Sequence, residues 1–104
     1  MMLTLHLADT QAVYRHYLPF IQDGAIFIAS TQKVQLGDEQ LIMLSYQDLT
    51  APVAGKVVWI NPSNHAQQEQ GFAICLNRGM GKQFKLAFDK ALLGIATQQP
   101  RFAL

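Results

Sequence analysis

A chain of 104 residues is long enough to bury one hydrophobic core and is expected to form one domain. Its formal net charge is +1, with eight basic and seven acidic residues and no basic run, which argues against a nucleic-acid-binding surface. Charged residues make up only 14% of the chain, so apolar side chains must share the surface with neutral polar ones, either scattered or gathered in a docking face.

Five segments have the sequence pattern of β-strands, the first near the N-terminus, where leucine alternates with threonine and histidine. The predicted strands are residues 3–7, 24–30, 40–46, 53–60 and 71–76. Turn residues separate them at 36–39 and 61–64, residues 47–51 are expected to be a polar loop, and residues 65–70 the tip of a long hairpin. Pro52 is expected at the start or edge of a strand, because it has no N–H to donate, and Gly55 indicates a bulge or a close approach.

Two helical segments accompany the strands. Asp9 or Thr10 is expected to cap a short helical or irregular stretch, residues 11–18, that Pro19 ends. The second segment follows the last strand and ends near Ala96, and its apolar residues form one amphipathic stripe: Phe84, Phe88, Ala91, Leu92 and Ile95. The sequence therefore predicts a mainly β fold, a small barrel or roll of antiparallel strands with a C-terminal amphipathic helix packed on it. Residues 1–97 form the single domain, and residues 98–104 are expected to be a flexible tail.

The residue types that carry catalysis or bind metals are scattered along the chain. His6, His16 and His65 lie far apart and have no cysteine or glutamate at metal-ligand spacing. Cys75 lies in an apolar run and is expected to be a small core residue. No nucleophile elbow, P-loop or dinucleotide glycine pattern is present, and only a pair of carboxylates acting as acid and base is left open. We therefore expect no enzymatic activity, no cofactor and no metal.

The cellular compartment is expected to be the cytoplasm. With a single cysteine the chain cannot build a disulfide framework, which fits a reducing environment. The first residues show neither a basic n-region nor a long apolar stretch, so we expect neither a signal peptide nor a membrane span.

Five blocks of the sequence carry a family resemblance through their order and spacing: YRHYLPF at 14–20, GAIFI at 24–28, LGDE at 36–39, VAGKVVWINP at 53–62 and QGFAI at 70–74. Together they resemble the PilZ domain, and more narrowly the short stand-alone PilZ proteins of type IV pilus biogenesis. The resemblance covers roughly residues 14–76 and implies a six-stranded antiparallel β-barrel-like fold.

The resemblance also identifies a ligand motif that this chain has lost. Members of the wider family bind cyclic di-GMP through an R-x-x-x-R arm and a [DN]-x-S-x-x-G turn. Here Arg15 is followed four positions later by Pro19, Asp23 matches the acid, Ala25 replaces the serine and Ile28 replaces the glycine. Without an arginine pair, little would compensate for the desolvation of two phosphates. The stand-alone members share this loss, and the apolar replacements favour a surface that meets protein rather than phosphate.

The function that the resemblance implies is that of a non-enzymatic adaptor in type IV pilus assembly and twitching motility. The implied partners are the pilus-extension ATPase (PilB type) and, in some lineages, an EAL-domain cyclic-di-GMP sensor (FimX type). The candidate protein-binding residues are Tyr14, Tyr17, Phe20 and Trp59, because aromatic residues anchor many interfaces, although Trp59 fits the core equally well. The alternative function is a direct cyclic-di-GMP receptor with a non-standard site around Asp23.

Overall fold

The computed structural model describes residues 3–62 and 69–96, with side chains up to Leu93. The elements of these residues are β1 (Leu3–Leu7), α1 (Thr10–His16), β2 (Tyr17–Leu18), β3 (Ala25–Ala29), β4 (Glu39–Tyr46), β5 (Leu49–Asn61), β6 (Gly71–Cys75) and α2 (Met80–Ala96). The predicted mainly β fold with a C-terminal helix is confirmed. Most of the predicted hairpin tip, His65 and the predicted tail at 98–104 lie outside the described residues.

The six strands form one curled sheet, a half-barrel, in the order β1-β4-β5-β6-β3-β2. Four of the five strand pairings are antiparallel, as expected, whereas β1 pairs with β4 in parallel. The parallel pairing is possible because α1, β2 and β3 intervene between these two strands and provide the long connection that it needs. Helix α1 contacts β1 at one end of the strand order and β3 near the other, so it helps to close the open side.

Strand β5 is the corner of the half-barrel. Its residues 49–56 pair with β4 and its residues 57–61 pair with β6, and a register shift between Val57 and Trp59 follows the change of partner. Gly55 stands at this point, where a Cβ atom would overlap the carbonyl oxygen of Cys75. The close approach predicted for Gly55 is therefore confirmed. Pro52 lies in the part of β5 that pairs with β4 and not with β6, so it occupies a local edge.

Two local predictions are wrong. Residues 49–51 belong to β5 rather than to a loop, because Gln47 adopts a φ of 54° and closes a tight turn between Tyr46 and Leu49. That turn lacks the Asn-Gly or Asp-Gly pair by which such hairpins are usually identified. The first helix ends at His16, and the next two residues form β2 by pairing with β3. Sheet pairing thus overrides the helical spacing of this segment.

The hydrophobic core lies between the concave face of the sheet and α2. Phe84 and Phe88 of α2 are fully buried, which confirms the inward stripe for its described members. The ring centroid of Phe88 is 5.3 Å from that of Tyr17 and 5.5 Å from that of Tyr46. At the other end of the chain Asp9 caps α1, since its carboxylate accepts a hydrogen bond of 2.9 Å from the backbone N–H of Ala12.

Replacing Phe88 by alanine is expected to lower the free energy of unfolding by about 3–5 kcal/mol, because it leaves a cavity between three aromatic rings. The matched control on the same helix is Leu86→Ala, whose side chain is 66% exposed and whose loss should change stability by less than about 0.5 kcal/mol. Urea unfolding followed by circular dichroism measures both values. Equal losses would contradict the assignment of the two faces of α2.

Candidate functional site

The outer, convex face of the sheet carries two aromatic side chains on two strands that flank a third, β6. Phe27 in β3 and Trp59 in β5 both lie opposite Ala73 in the intervening strand β6. The axes of β3 and β5 are separated by two inter-strand distances, about 10 Å. The centroids of the Phe27 and Trp59 rings are nevertheless only 5.6 Å apart, at an interplanar angle of 52°. The two rings therefore lean toward each other over the small side chain of Ala73, which is fully buried.

Gly71 makes room for this arrangement. Gly71 is the first residue of β6 and lies opposite Ala29 of β3. A Cβ atom on Gly71 would overlap both the carbonyl oxygen of Ile28 and the tip of the Phe27 ring. A larger residue would displace Phe27 from its contact with Trp59. The glycine is thus required for a close approach rather than for a turn.

The end of α1 places basic side chains beside the aromatic pair. His16 donates a hydrogen bond of 3.0 Å from Nδ1 to the carbonyl oxygen of Phe27, since that oxygen can only accept. This bond holds the imidazole against β3 and leaves Nε2 as the other polar atom of the ring. The neighbouring Arg15 is exposed. A cationic group and an imidazole therefore border the exposed edge of the two rings.

These side chains surround a depression of about 290 Å³, which we call the aromatic groove. It is lined by Arg15, His16, Leu18, Phe27, Trp59, Asn61 and Glu69. Asn61 is buried and its side-chain N–H donates to the backbone carbonyl of Glu69, which fixes that end of the groove. The volume is at the lower limit of ligand pockets. A partly exposed tryptophan packed on a half-buried phenylalanine, with an arginine at the rim, has the composition of a protein interface.

The four candidate interface residues occupy different environments. Trp59 is 39% exposed and lines the aromatic groove, so it is not a core residue. Phe20 is 65% exposed in the loop between β2 and β3, and Tyr14 is half-buried on α1. Tyr17 is fully buried, so the prediction that it contacts a partner is wrong. The reason is the alternation of β2, which turns Tyr17 toward the core and Leu18 toward the groove.

Tyr17 instead connects the sheet to α2 through Asp89. The Tyr17 hydroxyl donates to one carboxylate oxygen of Asp89 at 2.6 Å, and the Lys85 ammonium donates to the other at 2.8 Å. Gly24 packs against this group, since a Cβ atom there would lie 2.9 Å from the Tyr17 hydroxyl. Burial raises the pKa of the Tyr17 phenol, and its hydrogen bond to Asp89 raises it further.

The degenerate ligand motif does not form a surface as a unit. Asp23 is exposed and has a φ of 65°, but Ala25 and Ile28 are both buried. The expectation that the apolar replacements meet a protein partner is therefore wrong, because β3 places both side chains in packed clusters. The two arginines among the described residues do not form a ligand-binding pair. Arg15 lines the aromatic groove, whereas Arg78 forms an ion pair with Glu39.

Two further sets of side chains are of types that can carry chemistry, and neither has the environment for it. His6 and Ser45 are opposite each other in β1 and β4, with 2.6 Å between Nδ1 and Oγ, but the pair lies on an exposed sheet face rather than in a water-excluded site. Cys75 is buried with its Sγ 3.9 Å from the carbonyl oxygen of Gln22, which confirms it as a core residue. Burial, and then the negative charge of Asp23, raise the pKa of its thiol, which disfavours the reactive thiolate.

A larger depression, of about 580 Å³, lies beside the loop that connects β3 to β4. Some polar groups of its wall bond to one another: the N–H of Gln32 donates to Ser30 Oγ at 3.0 Å, and the N–H of Gln35 donates to Asp38 Oδ2 at 2.8 Å. The side chain of Gln32 also donates to that of Gln40. The described residues that line this depression include no aromatic side chain, so we place the candidate site at the aromatic groove.

Sequence reasoning identified Trp59 but missed its neighbours in the groove. Arg15, His16, Leu18 and Phe27 join it only through the β2–β3–β6–β5 pairing, and their register is not evident from the sequence. The one available signal was the run of five apolar residues in β3, of which alternate members must face outward.

Comparison with protein-family models gives no match for this chain, and comparison with curated protein sequences gives none either. Within residues 3–62 and 69–96, no three histidine, cysteine, aspartate or glutamate side chains are grouped as they would be around a metal ion. The helices of these residues include none with the length and apolar character needed to cross a membrane.

Replacing Tyr17 by phenylalanine is expected to lower the free energy of unfolding by about 1–2 kcal/mol at neutral pH, because Asp89 loses a donor. The phenol ionises near pH 10 in the unfolded chain but at higher pH in the folded protein, so its contribution is complete below pH 10 and declines above it. The difference between wild type and Tyr17→Phe should narrow above pH 10 by up to about 1.4 kcal/mol per pH unit. Denaturant unfolding from pH 8 to 11 measures it, and a difference that stays constant would contradict the buried hydrogen bond.

Proposed function

We propose that this protein is a non-enzymatic adaptor that binds another protein through the aromatic groove. The observation that carries the proposal is the pair Phe27 and Trp59, held over Ala73 on the outer face of the sheet with Trp59 still 39% exposed. Tryptophan in a well-packed position is the side chain that most often dominates binding energy at interfaces. Burial of its exposed part by a partner is favourable because it removes apolar surface from water.

The rim of the groove supports a protein ligand. Arg15 and Glu69 give it one positive and one negative side chain, which favours one orientation of a partner with complementary charges. His16 adds a polar ring whose position is fixed by its bond to the carbonyl of Phe27. A depression of about 290 Å³ is large enough for one or two inserted side chains.

The biological setting of the proposal rests on the sequence resemblance to the stand-alone PilZ proteins. On that basis we propose that the adaptor acts in the cytoplasm in type IV pilus assembly and twitching motility. Its first partner is then the pilus-extension ATPase of the PilB type, and an EAL-domain sensor of the FimX type is its second partner in lineages that have one. The mainly β half-barrel with a C-terminal helix is compatible with this proposal.

Replacing Trp59 by alanine is expected to raise the Kd for the extension ATPase by at least about thirtyfold, because it removes an anchor worth about 2 kcal/mol of binding free energy. The amount of ATPase that co-purifies with the protein should fall accordingly. Twitching should be lost with it. The matched control is Leu36→Ala, which removes a side chain that is 68% exposed in a turn outside the groove and should leave both readouts unchanged.

Circular dichroism and thermal unfolding of the Trp59 variant separate lost binding from lost folding. Tyr14→Ala tests the neighbouring half-buried position on α1 in the same assays. The adaptor proposal fails if the folded wild-type protein does not associate with the ATPase and neither substitution alters motility.

A second candidate function is a direct cyclic-di-GMP receptor around Asp23. The observation that favours it is that Asp23 is exposed in a left-handed turn, so this one ligand-type side chain of the motif is accessible. Because the buried Ala25 and Ile28 offer no polar group, we expect titration calorimetry with cyclic di-GMP to show no binding at concentrations up to about 100 μM. Micromolar binding that Asp23→Asn abolishes, with the fold intact, would establish the receptor instead.

A further inference from the structure

Helix α2 carries two large apolar side chains on the face opposite its buried one. Leu86 is 66% exposed and Leu93 is 71% exposed, and together we call them the leucine stripe. They are seven residues apart, so they lie on one side of the helix about 10 Å from each other along its axis. With Pro19 and Leu92 they line a shallow, mainly apolar groove of about 550 Å³.

The charges around the leucine stripe are not balanced. Lys82 and Lys90 flank it and are exposed. Asp89 also borders it, but its carboxylate oxygens already accept from the Tyr17 hydroxyl and the Lys85 ammonium. Neither ion pair of the described residues, Arg78–Glu39 and Lys85–Asp89, involves Lys82 or Lys90, so the stripe presents leucines beside two positive charges. A complementary surface has apolar residues in its centre and carboxylates at its sides.

A second copy of this chain does not meet that description. A two-fold, antiparallel contact between two α2 helices would place Leu86 opposite Leu93 of the other copy, with the axis between residues 89 and 90. In antiparallel helix pairs each flank faces its own equivalent, so Lys90 would lie against Lys90 of the second copy. This repulsion of like charges disfavours self-association through the stripe.

A lipid surface fits less well than a protein segment. Helices that lie in a membrane interface bury a broad apolar face, whereas the broad apolar face of α2 is already occupied by the core through Phe84 and Phe88. Two leucines beside a groove match the spacing of a partner helix, which presents anchors at i, i+3 or i+4, and i+7.

We propose that the leucine stripe is a second docking surface, which receives an amphipathic helix of another protein. The apolar residues of that helix contact Leu86, Leu93 and Pro19, and its aspartate or glutamate residues face Lys82 and Lys90. The stripe and the aromatic groove lie on opposite sides of the sheet, because α2 covers the concave face and Trp59 is on the convex one. The inference rests on the proposed adaptor role, since an adaptor must hold two proteins at separate surfaces.

The test is photo-crosslinking in the source cells, with a benzophenone amino acid in place of Leu86 and, as the matched control, in place of Leu36, which is equally exposed but lies in a turn. Mass spectrometry then locates the crosslinked segment. The expected product at position 86 is one protein, crosslinked within an apolar helix flanked by acidic residues, and absent at position 36. Crosslinks to a second copy, to lipid or to a segment without carboxylates overturn the proposal, as does a yield no higher than at position 36.

Charge reversal gives a second, independent readout. Lys90→Glu should lower the crosslinking yield at position 86 by about fivefold, the effect of one exposed charge pair. Lys33→Glu makes the same change at an exposed lysine of the β3–β4 loop and should leave the yield unchanged. Equal effects of the two substitutions contradict the acidic partner.

The same method separates this inference from the proposed function. A benzophenone in place of Trp59 reports the partner of the aromatic groove. Crosslinking to the extension ATPase at position 59 with none at position 86 leaves the adaptor's first contact intact and overturns the leucine stripe alone. If position 86 gives the acidic-helix product and position 59 gives no crosslink, the leucine stripe stands as a docking surface and the proposed role of the aromatic groove is overturned.

Discussion

The packing of one ring, Phe88, connects helix α2 to both arms of the curled sheet. Two of its three aromatic neighbours lie in the sheet: Tyr17 in β2, at one end of the strand order, and Tyr46 in β4, next to the other end. A sheet with two free ends has no closed hydrogen-bond ladder to keep it curled. The contacts of Phe88 supply that restraint, and the bond from Tyr17 to Asp89 adds a polar connection on the same helix.

The positions of the two candidate surfaces follow from this core, because inward-facing and outward-facing side chains alternate along β2 and around α2. Because β2 turns Tyr17 inward toward Phe88, it must turn Leu18 outward, where Leu18 lines the aromatic groove. Because α2 turns Phe84 and Phe88 inward, the residues half a turn away face solvent, and Leu86 is one of them. The backbone positions of the outward side chains are therefore fixed by the packing of the core, which lowers the entropy of ordering the backbone on binding.

The sequence predicted what depends on local pattern and missed what depends on distant pairing. The strands near residues 3–7, 40–46 and 71–76 and the stripe of α2 come from periodicity, and the structure confirms them. The two-residue strand β2 has no pattern of its own and exists because β3 lies beside it. For the same reason the burial of Tyr17 and the grouping of Arg15 with Trp59 were not predictable, since both depend on the β2–β3–β6–β5 register.

The low charge of the chain, 14%, allowed either scattered apolar side chains or a docking face. Leu36 is an example of a scattered apolar side chain, since it is exposed in a turn and lines neither candidate groove. Trp59 and the leucine stripe, in contrast, lie in depressions with charged borders. Consecutive residues of the chain line the two depressions, because Leu18 lines the aromatic groove and Pro19 lines the groove of the leucine stripe. The residue before them, Tyr17, is buried and bonded to α2, so one short segment that is anchored in the core contributes to both candidate surfaces.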